Sequence, residues 1–211
     1  MISGLRLAAV FVLALLAHRA SGADGVTPAQ QGRMVDAAIR VMPIGRMMEM
    51  AAAENPAWPG SADSRLDEER LTCLRGNLRA PAYRKVVERR VADYVRAEPA
   101  RFAEDLAVLE GDAGRLFAKL MSAGMESKFS GTAKRFDPAA LLKDETPEAL
   151  AQMVLLANDP RYTPLRAMLG IGAQIVDGES GRKVGQAAGL TLMLPTLSDA
   201  MTVCNVRFEE L

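Results

Sequence analysis

Five times along this chain a residue able to cap a helix stands directly before a proline: Thr27-Pro28, Asp137-Pro138, Thr146-Pro147, Asp159-Pro160 and Thr163-Pro164. Proline suits the first turn of a helix, where its missing N–H has no intrahelical acceptor to lose, and a Thr or Asp oxygen just before it satisfies one of the free N–H groups. Each pair therefore predicts an N-cap followed by a helix. Thr27 also has Gln30 three residues on, the arrangement of a capping box. A chain punctuated in this way is committed to short helices joined by tight breaks.

The apolar spacing agrees. Met34, Val35, Ala38, Ile39 and Met42 form one face; Leu66, Leu71, Cys73, Leu74 and Leu78 a second; Tyr83, Val87, Val91, Tyr94 and Val95 a third. Phe102, Leu106 and Leu109 follow, then Leu116, Phe117, Leu120, Met121 and Gly124, then Leu150, Met153, Val154 and Ala157. These are the i, i+3, i+4, i+7 intervals of helices with one buried side. No run of alternating β-branched residues precedes residue 184, and beyond it "VGQAAGLTLMLP" is ambiguous and "TVCNVRF" reads as a short strand or an extended arm. The expected fold is all-α, a multi-helix bundle of about eight or nine short-to-medium helices with an uncertain C-terminal tail. "FAEDLAVLEGDAGRLFAKLM" and "LAQMVLLANDPRYTPLRAML" each read as helix, Asp-centred break, helix, with Asp112 and Asp159 at the breaks.

The N-terminal segment stands apart. "MISGLR" is a short n-region with Arg6, "LAAVFVLALLA" an apolar h-region, and "HRASGA" a small-residue end, the three parts of a secretory signal. The apolar run is shorter than the roughly 20 residues that span a bilayer. Residues 1–23 are thus expected to be a signal peptide and residues 24–211 a single all-helical domain, with no membrane span after cleavage and a periplasmic or secreted location in a bacterium. Arg6 and Arg19 would leave with the signal, so the 26 basic residues become 24 against 26 acidic ones. So even a balance points to no nucleic-acid partner. The one histidine, His18, would leave too, and with it every mechanism that needs an imidazole as base or ligand.

Two cysteines remain, Cys73 and Cys204. An even count in an exported chain favours a disulfide over two buried thiols. Such a bridge would tie the last segment to the first half.

The stretch "VDAAIRVMPIGRMMEMAAA" and the helix pair around "LEGDAGRLFAKLM" resemble a family of small helical exported bacterial proteins known only as a domain of unknown function. Its members often carry an aromatic-Ser-Pro-x-Gly break between two helices. The corresponding break here is "EGDAGR", which keeps Gly114 and the following Arg115 and replaces the rest with Gly111, Asp112 and Ala113. The likeness covers Met34 to Met125 and implies only an envelope or secreted helical protein, since the family has no established activity.

Chemistry-bearing residues are sparse. Met42, Met47, Met48 and Met50 cluster near the only tryptophan, Trp58. Thioethers are soft ligands for Cu(I), but methionine more commonly fills core gaps or lines adaptable grooves. With no histidine among residues 24–211, core or groove is preferred over a metal site, with Met47, Met50 and Trp58 either closing the core or forming the candidate lining of a groove, and neither metal nor cofactor expected. Carboxylates in "DEER", "EPARFAED" and "DETPE" would have to supply any glycan hydrolysis, yet they lie among arginines and lysines or at helix starts, where solvation and capping account for them. The loops "ENPAWPGSADS" and "ESKFSGTAKRFD" are candidate binding loops or plain connections, and the latter's Ser127, Lys128, Ser130 and Lys134 do not have the spacing of a Ser/Lys nucleophile pair. "GESGRKV" lacks the spacing of a phosphate loop and reads as a turn; "GIG" at 170–172 reads as a small-residue packing patch.

The expected role is a non-catalytic binding or interaction protein of the cell envelope, taking another envelope protein or a small apolar ligand. The alternatives are a histidine-free carboxylate hydrolase and a methionine-based copper binder. N-terminal sequencing of the protein recovered after export is expected to begin at Asp24, and recovery of an intact Met1 would overturn the signal reading.

Overall fold

The computed structural model describes residues 25–60, 64–129, 136–171 and 181–211, with the backbone alone for 181–191. The expected signal segment, Ser130 and Lys134, and the first part of "GESGRKV" lie outside the described residues. Among these residues there are ten α-helices and no strand. In chain order they are α1 (Pro28–Val41), α2 (Ile44–Glu54), α3 (Glu68–Asn77), α4 (Ala80–Ala97) and α5 (Phe102–Glu110). Then come α6 (Asp112–Phe129), α7 (Pro138–Leu142), α8 (Pro147–Asn158), α9 (Thr163–Leu169) and α10 (Gly181–Val203). Among the described residues no helix is long and apolar enough to cross a membrane.

The caps form as the capping pairs require at four of the five positions. Thr27 Oγ1 accepts from the Gln30 N–H at 3.2 Å while Gln30 Oε1 accepts from the Thr27 N–H at 2.9 Å, a complete capping box. Asp137 caps α7, Thr146 caps α8 and Asp159 caps a 3-10 turn, Pro160–Tyr162, that leads into α9. Thr163 differs. The turn runs straight into α9, so Thr163 is already its first residue, and its hydroxyl instead accepts from the Arg166 guanidinium at 3.0 Å. In "GESGRKV", read as a turn, the described part from Gly181 onward is the start of α10. That helix continues through Val203, so "TVCNVRF" holds its last two residues, then a turn at Cys204 and Asn205 and the start of a 3-10 turn at Phe208, with no strand among them. Pro195 sits inside it.

Helix α4 lies at the centre, packed on α1, α2, α9 and α10, while α1 also meets α5 and α6. The 3.6-residue spacing explains why. Helix α4 buries Tyr83, Val86, Val87, Val91 and Tyr94, and α1 buries Met34, Val35, Ala37, Ala38 and Val41. Phe102, Leu106 and Leu109 of α5 close over them, and the same cluster of buried side chains continues through Leu165, Met168 and Leu169 to Leu192, Ala200, Cys204 and Val206. Close approach at two points depends on glycine. A Cβ on Gly45 would lie 2.6 Å from the Ala80 Cα, where α2 meets the start of α4, and one on Gly114 would lie 1.9 Å from the Leu109 carbonyl oxygen. The second explains the "EGDAGR" break: α5 and α6 fold back on each other only because residue 114 has no side chain.

Helix α8 departs from its expected face. Ala149 and Leu156 are buried, while Val154 is 52% exposed and Leu155 is 43% exposed. "ALAQMVLLA" is apolar nearly all round, so periodicity alone could not choose the side that meets α6.

Two buried polar side chains knit the second half. Asp105 is fully buried and accepts from the Tyr94 hydroxyl and from the Arg101 guanidinium. Burial, then this hydrogen bond, pushes the Tyr94 phenol well above its ordinary range, so it stays a neutral donor. Arg166 donates to the carbonyls of Leu156 at 3.0 Å and Asp159 at 2.8 Å, satisfying the open end of α8.

The C-terminal segment is fastened twice. Cys73 of α3 and Cys204 are joined as a disulfide, with Cα atoms 5.8 Å apart. Beyond it, the Glu210 carbonyl accepts from the Ser64 hydroxyl at 3.0 Å and the Arg65 N–H at 3.1 Å, while its carboxylate accepts from Arg70 at 2.8 Å. The bridge closes a loop with a sequence separation of 131. Loop-closure entropy assigns such a loop about 4–5 kcal/mol. Paired Cys73→Ala and Cys204→Ala substitutions should therefore lower the unfolding free energy by roughly that amount in a denaturant titration; no change in midpoint would show that the bridge carries no stability.

A second measurement concerns the approach to α8. Hydrogen bonds from Arg115 and then Lys119 hold the Glu145 carboxyl at about 2, below its ordinary 4.5. Because the folded value is depressed, the stabilisation is fully present above pH 4.5 and fades as pH falls through about 2. In thermal melts, Glu145→Gln is expected to melt below the wild type at neutral pH, with the gap closing between pH 4.5 and 2. A gap that stays constant would mean that Glu145 is not the group responsible.

Candidate functional site

The methionine cluster divides once folded. Met42 and Met48 are buried, at 5% and 1% exposure, and Ile44 beside them is buried at the start of α2. Met47 and Trp58 are half-buried and pack against the main core, and Met50 is half-buried. The Trp58 loop is fastened, since the Trp58 carbonyl accepts from Arg75 Nε at 2.9 Å and Asn55 Oδ1 accepts from the Ala57 N–H at 3.0 Å. Two of the four clustered thioethers thus serve the interior. Among the described residues no group of three His, Cys, Asp or Glu side chains is placed to hold a metal ion.

The carboxylate stretches disperse in the same way. Asp67 of "DEER" is an N-cap, its Oδ1 accepting from the Arg70 N–H at 2.8 Å. Asp105 of "EPARFAED" is sealed beneath Tyr94 and Arg101, out of reach of any substrate. Glu145 of "DETPE" is held by Arg115 and Lys119.

A concave site appears elsewhere, between α4 and the second half of α10. The cleft has a volume of about 400 Å³. One wall is Ala82, Lys85 and Arg89 of α4, spaced i, i+3, i+7; the other is Thr196, Asp199, Ala200, Thr202 and Val203 of α10. Asn77 closes one end, and its side chain donates to the Cys73 carbonyl at 2.9 Å and lies 3.6 Å from Cys204 Sγ. The disulfide therefore stands directly behind the cleft.

The lining is mixed in character. Arg89 and Asp199 face each other across the mouth at 2.5 Å, both more than half exposed. At that exposure the pair contributes little stability, about 0–1 kcal/mol. Lys85, exposed on the same side as Arg89, makes no ion pair among the described residues. Ala82, Ala200 and Val203 supply apolar surface. Thr196 is 1% exposed, and its hydroxyl has no hydrogen-bond partner among the described residues. A threonine inside a helix ordinarily returns its hydroxyl to a carbonyl one turn back. Here it does not, and no described residue takes its place as a partner.

None of the cleft residues figured among the sequence candidates. A signal was available: Lys85 and Arg89 share a helical face with Ala82, and Thr196 and Asp199 are polar within an otherwise apolar run. Pairing these faces needs the path of the chain between residues 97 and 181, which no local pattern encodes. Comparisons of the chain with protein-family models, with curated proteins and with solved structures find no match.

Proposed function

We propose that this is an exported, non-catalytic binding protein of the bacterial cell envelope, of the helical kind that the Met34–Met125 resemblance implies, and that it holds a small ligand in the cleft between α4 and α10. The single observation that carries the reading is that cleft: a volume of about 400 Å³, bounded by two helices of the main bundle and braced from behind by the Cys73–Cys204 bridge. Its size falls at the lower end of the range for small-molecule sites, roughly 300–1,000 Å³. The bridge ties the end of α10 to α3, next to the cleft, and restricting one wall in this way lowers the ordering cost of binding.

The lining argues against catalysis. Glycan hydrolysis needs two carboxyls flanking the scissile bond, roughly 5–10 Å apart. The cleft offers one carboxylate, Asp199, already paired with Arg89. A histidine would supply a base, but the chain's one histidine, His18, belongs to the segment read as a signal.

The test is a melting-temperature screen of the exported, disulfide-bonded protein against a panel of small acids, amides, amines and sugars, repeated on Val203→Trp and Ala82→Phe. Val203 is 68% exposed on the cleft wall, so its replacement fills space without touching the core. The expected result is stabilisation by one class of compound that both variants abolish while keeping the wild-type helical circular dichroism. Stabilisation that survives in both variants, or none across the panel, would overturn the reading.

A further inference from the structure

We infer that the cleft between α4 and α10 takes a small monocarboxylate with a short apolar body, its carboxylate set between Lys85 and the buried hydroxyl of Thr196. The inference rests on the cleft being a binding site and specifies what that site selects.

Charge comes first. The titratable groups that line the cleft are Lys85, Arg89 and Asp199, two positive charges against one negative. Arg89 and Asp199 answer each other at 2.5 Å, which leaves Lys85 as the unanswered charge. A single negative charge on the ligand completes the balance. A cationic ligand would meet Lys85 and Arg89 together. A phosphate dianion would bring a second negative charge against Asp199, whose carboxylate already occupies the far side of the mouth.

Hydrogen bonding gives the second constraint, independent of charge. Thr196 is 1% exposed, lines the cleft, and carries a hydroxyl with no partner among the described residues. A buried polar group left unpaired costs about 1–3 kcal/mol, and a ligand oxygen at that point removes the cost. Carboxylate oxygens accept only, so a hydroxyl donor and an ammonium donor on neighbouring walls suit one carboxylate. The other uncharged polar side chains of the lining already donate elsewhere, Asn77 Nδ2 to the Cys73 carbonyl and the Thr202 hydroxyl to the Ser198 carbonyl.

Shape supplies the third. Ala82, Ala200 and Val203 present small apolar surface on both walls, and about 400 Å³ admits a body of a few carbons, not a polymer segment. The ligand is therefore a short acid with an aliphatic end, held by two polar groups and otherwise by contact.

The probes are hexanoate, its neutral counterpart hexanamide, and inorganic phosphate, titrated by calorimetry into the full exported protein with its disulfide intact. Hexanoate is expected to bind at least tenfold more tightly than hexanamide, the size of effect that a charge-assisted hydrogen bond supplies. Binding should weaken with added salt. Lys85→Gln should cost about tenfold in affinity with no change in melting temperature, since Lys85 is exposed and makes no ion pair among the described residues. Thr196→Val should weaken hexanoate several-fold while the unliganded protein melts at the same temperature or higher, because a methyl replaces an unpaired hydroxyl. A purely structural role for Thr196 would not produce that opposition. Equal affinity for hexanoate and hexanamide, tighter binding of phosphate than of hexanoate, or indifference of hexanoate to Lys85→Gln would each overturn the carboxylate assignment and leave the cleft as a site for another class. Failure of all three probes in a protein that the broader screen also leaves unshifted would remove the site itself.

Discussion

The cleft, the seating of α10 and the path of the last residues all depend on how the C-terminal segment is held to α3 and α4. Cys204 is bonded to Cys73, and Glu210 takes hydrogen bonds from Ser64 and Arg65 just before α3 and from Arg70 in its first turn. One fastening is covalent and acts largely by narrowing the unfolded ensemble. The other is a set of polar contacts that fixes direction. Between them they press the second half of α10 onto α4, so that two helical faces from distant parts of the chain become opposite walls of one site.

The interior is held differently. Around α1, α4 and α5 the adhesive is apolar: Met34, Val41, Tyr83, Val91, Phe102 and Leu109 are all under 3% exposed. Buried polar groups add particular joints to this apolar contact. Asp105 binds α4 to α5 through Tyr94 and Arg101, and Arg166 closes the end of α8 from α9. Such groups are costly to bury unless fully partnered, and their partnership fixes one geometry among the many that an apolar interface would tolerate. Thr196 is the contrast. It is 1% exposed and has no partner among the described residues, in a wall of the cleft between α4 and α10.

Capping chemistry was legible because it is local. Thr27, Asp137, Thr146 and Asp159 sit where their side chains reach N–H groups two or three residues away, and no distant contact is needed to place them. Helix α4 shows the limit. Its N-cap position is Arg79, which makes no side-chain cap, and the Ala80 N–H donates instead to Glu49 of α2 at 2.9 Å. Thr163 shows it from the other side: the hydroxyl that should cap was claimed by Arg166. In α8, where apolar residues circle the helix, the sequence left Val154 and Leu156 equivalent, and the approach of α6 separated them.

The sequence by itself determined that the chain is helical, where α1, α7 and α8 begin, which faces of α1, α4 and α5 turn inward, and that no histidine follows His18. These follow from interactions between residues a few positions apart, where geometry is set by the helix alone. Only the tertiary structure decided that Met42 and Met48 serve the core, that Asp105 is sealed under Tyr94 and Arg101, and that Lys85 and Thr196 face one cleft. Residues 85 and 196 meet because α10 returns to α4, and that return is a global compromise among packing, the Cys73–Cys204 bond and the Glu210 contacts. No window of sequence contains it.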